Sequence, residues 1–300
     1  MIVWLASYPR SGNTLLRTVL SECFGLPSTA DEPEPIAAAR ATGMIGGVAS
    51  PDDWSRFYVE ATASSKVHLV KTHLPPRDDQ RAIYVVRDGR SAVVSYYHFN
   101  RTYHPVEAPS LLELALGGGY YGGWADHCKT WFARAGALVI RFEDLVQGDP
   151  ATLNRIATQI CHTGPIRPWA NPFASLKLAV PEFFREGALQ FNRPSIWTDL
   201  VEEAFFASSG DVMQQLGYAA ASDRPRTAAG EVITLALSLI KGNRDLQTVC
   251  DNRQAVINEL HKACRDRLEV IESQSEEINR LRSLCDERLA LIAGLAGNAA

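Results

Sequence analysis

Three short segments hold the residues best suited to chemistry. The first, Ser7-Tyr-Pro-Arg-Ser-Gly-Asn-Thr14, lies between a short apolar run and the periodic stretch Leu15, Leu16, Val19, Leu20, Cys23. A loop in that place opens a helix, whose first backbone N–H groups lack intrahelical acceptors and whose dipole favours an anion. Ser11, Gly12, Asn13 and Thr14 supply those amides, and the Ser11 and Thr14 hydroxyls add donors. Gly12 lets the backbone close round the anion, and Arg10 supplies a cation. A nucleoside triphosphatase loop needs GxxxxGK followed by Ser or Thr, with the lysine across the β- and γ-phosphates. Asn13 stands where that lysine belongs, so the loop suits a shorter anion than Mg-ATP.

The second segment, Lys71-Thr-His-Leu-Pro75, brings a cation, Lys71, and a candidate general base, His73. The third runs from Arg87 to Phe99 and presents Arg87 at a strand end and Ser95 two turns into the following helix. That pair suits a second phosphate. One such segment alone is weak evidence. Three of them at successive strand ends describe a single anion-binding edge equipped with a base.

The elements that must position these residues alternate. Ile2–Ala6, Lys66–Val70, Ala82–Val86 and Ala137–Arg141 read as short, nearly all-apolar strands. Helical patterns cover Gly89–Phe99, Trp124–Arg134 and Pro150–Cys161. Strands of this kind between helices predict an α/β fold, a central parallel sheet covered on both faces. The segment 28–65 carries scattered Pro and Gly and no pattern that places its elements. The glycine-rich run 117–123 is a loop, either a substrate flap or a long connection. Trp124, Cys128 and Trp131 share a helical face and read as core. His127 reads as a satisfied histidine rather than a second base, and Glu143 and Asp144 read as helix caps.

Composition narrows the function classes. The chain has 300 residues, 46% hydrophobic and 21% charged, with a formal net charge of −4. That excludes the basic excess of a nucleic-acid binder or a polybasic membrane binder. Six cysteines form no CxxC pair and no zinc pattern, so the sequence predicts no metal and free thiols in a reducing compartment. No apolar run is long enough for a transmembrane segment. The run Ile2–Ala6 meets Pro9 and Arg10 at once and does not read as a secretory signal. The predicted setting is cytoplasmic.

After Tyr218 the pattern changes. Residues 219–230 read as a linker. The stretch 231–297 is free of proline and carries Cys250, Ile257, Cys264, Ile271, Ile278, Cys285 and Ile292 at seven-residue spacing. That is one seam of a coiled coil, predicting a homo-oligomer, a parallel dimer or trimer. The companion position is ragged, with Arg253, Arg267 and Arg288 among its leucines. A helix folded back on its own domain is the other reading.

Together the three segments resemble the 3′-phosphoadenosine 5′-phosphosulfate (PAPS)-dependent sulfotransferase family. Its phosphosulfate loop reads YPKSGTTW or YPKSGTNW, its base segment KTHLP, and its 3′-phosphate segment YVxRxxxDxxxSYYHF. Gly123–Trp131, Arg141–Leu145 and Phe183-Phe-Arg-Glu-Gly187 resemble later family segments, and the likeness runs from residue 1 to about 218. The resemblance implies a P-loop-like catalytic domain over 1–218, PAPS as donor and adenosine 3′,5′-bisphosphate as product, without a metal. It implies His73 as general base, with Lys71 and Arg10 neutralising charge on the transferred group. The cofactor would be held by Arg10, Ser11, Gly12, Asn13 and Thr14 on the 5′ side. Arg87, Ser95, Arg185 and Gly187 would hold the 3′-phosphate, with Phe142 and Phe173 against the adenine. The acceptor is a hydroxyl or amine of a small molecule, sugar or peptide. Arg10 replaces the family's usual lysine, Leu15 its tryptophan, and Glu186 the lysine of FFRKG. Two other classes compete: an interaction protein oligomerising through its coiled coil, and a P-loop kinase.

Overall fold

The computed structural model describes residues 1–31, 45–48, 50–181, 189–220 and 230–297. The chain divides into two units, 1–240 and 241–300.

In the first unit, β1 (Ile2–Ser7) is buried along its whole length, as a strand covered on both faces must be. It pairs in parallel with β3 (His68–Thr72) on one side and β4 (Arg81–Val86) on the other. A three-residue β2 (Ser28–Ala30) adds to β3, and β5 (Ala137–Arg141) adds to β4. The sheet order is β2-β3-β1-β4-β5, all parallel, so the expected α/β architecture is observed. Two details differ from expectation. The strand predicted over Lys66–Val70 lies two residues later, because Leu5 pairs with Lys71 and Ala6 with Thr72. Lys71 is therefore inside the strand, and only His73 follows it. The unpatterned segment holds β2 and the helix α2 (Trp54–Ala63), capped by the Asp53 side chain on the Arg56 amide.

The helices flank the sheet. They are α1 (Asn13–Phe24), α3 (Gly89–Tyr103), α4 (Leu111–Ala115), α5 (Trp124–Phe132), α6 (Phe142–Gln147), α7 (Pro150–Gln159), α8 (Phe173–Ala179) and α9 (Asp199–Gln215). Strand alternation sorts the core into two layers. Ile2, Trp4 and Ala6 with Ala82, Tyr84 and Val86 face Trp124, Cys128 and Trp131 of α5 and Phe205 of α9. Val3 and Leu5 with Ile83 and Val85 face Leu16, Val19 and Leu20 of α1 and Ile156 of α7. Trp124, Cys128 and Trp131 are thus core residues, as their spacing indicated.

The glycine-rich run is folded into turns. Gly118 N–H donates to Glu113 C=O at 2.7 Å and Gly122 N–H to Gly119 C=O at 2.8 Å. A Cβ at Gly119 would stand 2.7 Å from a Leu114 methyl, so the loop packs closely on α4.

The helix α10 (Gly230–Gly297) begins in the first unit and supplies the described residues of the second; its 68 residues amount to about 100 Å at 1.5 Å per residue. Along it Ile257, Ile271 and Ile278 are exposed, as are Cys250, Cys264 and Cys285. Among the described residues no helix is long and apolar enough to cross a membrane. The linker reading falls largely on 221–229, outside the described residues.

Candidate active site

The carboxyl ends of β1, β3 and β4 lie side by side, and each delivers one of the three segments. From β1 the chain turns through Tyr8–Ser11, closed by Ser11 N–H to Tyr8 C=O at 3.1 Å. Arg10 takes a left-handed conformation (φ 63°), uncommon for a residue with a side chain and concentrated at functional loops. Gly12 follows at φ 113° as the N-cap of α1, and no side chain caps this helix start. A Cβ on Gly12 would stand 2.7 Å from Phe142 Cδ2 and 3.2 Å from a Val85 methyl. Glycine is needed there for its conformation and for its lack of volume.

Ser11 Oγ is fully buried and has no hydrogen-bond partner among the described residues. Such an orphan is costly unless a ligand satisfies it. An uncapped helix start, a glycine cradle and an unsatisfied hydroxyl form a donor set that fits a phosphate or phosphosulfate group. Thr14 stands in the first turn of the same helix.

The Asn13 side chain is bonded within the fold. Its Nδ2 donates to Leu5 C=O at 2.7 Å and approaches Ser7 Oγ at 3.4 Å. The side chain is spent beneath the loop, leaving only its backbone amide to an anion.

Arg10 lies beside the third segment. Its Nε donates to Ser95 Oγ at 3.3 Å, and its guanidinium sits 5.3 Å from the centre of the Phe99 ring. Arg87, just past β4, donates weakly to the Arg10 carbonyl at 3.5 Å and rests on the Phe142 ring at 4.4 Å. Burial lowers the Arg87 pKa, opposed by Glu143 and Asp88, and an arginine so placed stays charged. Arg10, Ser95 and Arg87 thus lie close together, linking the first segment to the third.

Phe142 is buried between Gly12 and Arg87 and forms part of the floor of the loop. Phe173, at the start of α8, packs with Ile45, Leu176, Val180 and Phe99 in a separate cluster. Arg185 and Gly187 fall on residues outside those described. Glu143 does not cap a helix. Its carboxylate accepts from Tyr218 Oη at 2.8 Å and lies 3.7 Å from Arg141 Nε.

His73 sits one residue beyond β3. Its Nδ1 lies 2.7 Å from Ser7 C=O. A carbonyl only accepts, so Nδ1 carries the proton and Nε2 keeps its lone pair. Burial pushes its pKa well below the usual 6.5, and Lys71, His127 and Arg10 push the same way. The ring is therefore a neutral base at neutral pH. Tyr121 of the glycine-rich loop meets it edge-on, ring centres 5.6 Å apart. Ser7 and Tyr121 were not singled out in the sequence, because nothing in a serine ending a strand or a tyrosine among glycines marks a partner for His73. Among the described residues no group of His, Cys, Asp and Glu could hold a metal ion.

Residues 2–158 match the sulfotransferase domain family. Mouse (Mus musculus) Sulfotransferase 4A1 is 27% identical over 162 residues, covering 48% of this chain and 54% of its own. Human (Homo sapiens) Sulfotransferase 1C2 is 33% identical over 96 residues, 28% of this chain and 32% of its own. The crystal structure of mouse sulfotransferase SULT7A1 complexed with PAP superposes with a TM-score of 0.46 at 20% identity, covering 72% of this chain and 88% of that one. This chain spans about half the length of the curated relatives it matches. With more than half its residues inside the matched domain, and the loop, base and arginine segments gathered at one sheet edge, the chain belongs to the sulfotransferase family.

Proposed function

We propose that this protein transfers a sulfuryl group from PAPS to a hydroxyl or amine of a small-molecule, sugar or peptide acceptor, leaving adenosine 3′,5′-bisphosphate. The observation that carries this reading is the Nδ1–H of His73 held on Ser7 C=O at the mouth of the anion loop. It leaves one ring nitrogen free to take a proton, beside the cations that an anionic donor needs.

PAPS, when bound, supplies the sulfuryl group on a 5′-phosphate leaving group. His73 Nε2 takes the acceptor proton as the acceptor oxygen or nitrogen bonds to sulfur. Arg10 and Lys71 are fixed charges that neutralise the anion as its charge redistributes. The backbone amides of Gly12, Asn13 and Thr14 and the hydroxyls of Ser11 and Thr14 hold the 5′-phosphate, the Ser11 amide being taken up by Tyr8 C=O. Asn13 contributes its amide only. Arg87 and Ser95, with Arg185 and Gly187, hold the 3′-phosphate. Phe142 and Phe173 border the adenine. An arginine at position 10 is a poor proton donor, so its part is electrostatic.

We read 1–218 as the catalytic domain, 219–230 as linker and 231–297 as a coiled coil that joins copies of the chain. The exposed seam Ile257, Ile271 and Ile278 supports self-association. A cytoplasmic setting is consistent with the scattered cysteines. Transfer of labelled sulfate from PAPS to a panel of phenolic and sugar alcohols tests the reaction, with His73→Ala as the control. Sedimentation of the chain truncated near residue 228 tests the assembly: a monomer is expected, and an unchanged oligomer refutes the coiled coil.

A further inference from the structure

His127 of α5 is buried behind the base. Its Nε2 lies 2.9 Å from the His73 backbone carbonyl, and its Nδ1 lies 2.8 Å from Tyr84 Oη. The carbonyl can only accept, so Nε2 carries the proton and Nδ1 accepts from the Tyr84 hydroxyl. That hydroxyl projects from β4 in the aromatic layer, with Cys128 Sγ 3.5 Å away. A chain of two hydrogen bonds therefore runs from the sheet through α5 to the residue that holds the base.

We propose that His127 is a positioning residue for His73, fixing its backbone carbonyl and so the direction in which the ring presents Nε2. The reading rests on His73 as the base of the proposed transfer. His73 is one residue past the end of β3, where sheet pairing no longer holds its peptide. Its ring is pinned at Ser7 C=O and its main chain at His127. Two fixed points define the orientation of a side chain with two rotatable bonds, and a base misplaced by an ångström loses much of its rate.

The surroundings keep His127 in the form this requires. Tyr8 meets its ring edge-on at 5.7 Å, and the Tyr84 ring lies against it with centres 5.6 Å apart. Burial lowers its pKa to about 4, so it stays neutral and its single N–H stays on the carbonyl. The groups facing His73 itself are Lys71 from β3, Arg10 from the anion loop, His127 from α5 and the Tyr121 ring.

The test follows the ring nitrogens of His73 by ¹⁵N NMR against pH in the full chain without ligand, alongside PAPS-dependent sulfation of 2-naphthol. Wild type and His127→Gln, whose amide can both donate and accept, should show His73 as the Nδ1–H tautomer titrating well below 6.5. In His127→Leu the His73 signals should become a mixture of tautomers, with the midpoint moved up toward 6.5. Its kcat should fall about tenfold with KM for PAPS unchanged. Folded His127→Leu with wild-type His73 tautomer and midpoint overturns the proposal. Should that variant not fold, Tyr84→Phe releases Nδ1 of His127 and should shift the His73 signals part of the way; no shift overturns the proposal equally. Wild type that shows the NMR behaviour but sulfates no acceptor counts against the proposed reaction and leaves the positioning intact.

Discussion

The two faces of the sheet are built from different chemistry. Behind α1 and α7 the layer is mainly aliphatic, with Phe24 and Phe142 at its margin: Val3, Leu5, Leu16, Val19, Leu20, Ile83 and Ile156 are buried, and none of the clustered side chains titrates in acid. Behind α3, α5 and α9 the layer is aromatic, and Tyr8, Tyr84, Trp124 and Trp131 bring polar atoms into it with His127 among them. The aliphatic face supports the helix whose N-terminus makes the anion loop. The aromatic face supports His73, the proposed base. Dispersion and burial suffice to hold a helix start in place, whereas orienting an imidazole needs directional bonds. Acid should therefore weaken one face and leave the other alone.

The largest expected effect breaks the aliphatic face. Leu16→Ala removes a fully buried side chain between α1 and β1, and should cost about 2–5 kcal/mol of stability in denaturant titrations. That loss should be the same at pH 5 and pH 7, because the buried side chains clustered with Leu16 carry no group that titrates in acid. A loss that grows sharply in acid would show that the faces are coupled.

The next effect belongs to the aromatic face. Buried His127 titrates near 4 in the folded protein against about 6.5 when unfolded. Below 6.5 the unfolded chain takes up a proton that the folded protein refuses until about pH 4, so stability falls as pH drops through that window. The contribution is up to roughly 3 kcal/mol. His73, also lowered, acts in the same direction. His127→Gln should flatten the acid limb of melting temperature against pH; an unchanged limb would mean that His127 is not neutral in the fold.

A smaller effect sharpens the boundary where the faces meet at the loop. Gly12→Ala must adopt a φ near 113° and place a methyl 2.7 Å from Phe142. Strain of about 1–3 kcal/mol should weaken adenosine 3′,5′-bisphosphate binding by about tenfold in calorimetry. The pH dependence of melting should be unaffected. Unchanged affinity would mean that the loop does not hold the nucleotide.

Much of this was legible in the sequence because the chemistry lies at strand ends and the strands are nearly pure apolar runs. The apolar runs 82–86 and 137–141 coincide with β4 (Arg81–Val86) and β5 (Ala137–Arg141), and the spacing of Trp124, Cys128 and Trp131 marks α5. Residues 199–215 were less visible as a helix. Val201, Ala204, Phe205, Phe206, Ser209, Gly210, Val212 and Met213 are all buried, so no single apolar stripe marks it. Lys71 looked like a residue after a strand because charge is a poor strand signal, yet its pairing with Leu5 keeps it inside. Within the site, residue types announced Arg10, His73 and Arg87. What the sequence could not show was direction: that the Asn13 amide turns down to Leu5, that Arg10 reaches Ser95, and that His73 leans on Ser7 and His127. Those are three-dimensional contacts between residues up to 85 positions apart.

The most direct measurement is the rate of labelled sulfate transfer from PAPS to an accepted alcohol by wild type and by His73→Ala, with nucleotide binding measured on both. A positioned base contributes about 10²- to 10⁴-fold. The expected result is a loss of that size in kcat with adenosine 3′,5′-bisphosphate affinity retained. Equal rates in the two proteins, with both folded and both binding nucleotide, would contradict the assignment of His73 as the base.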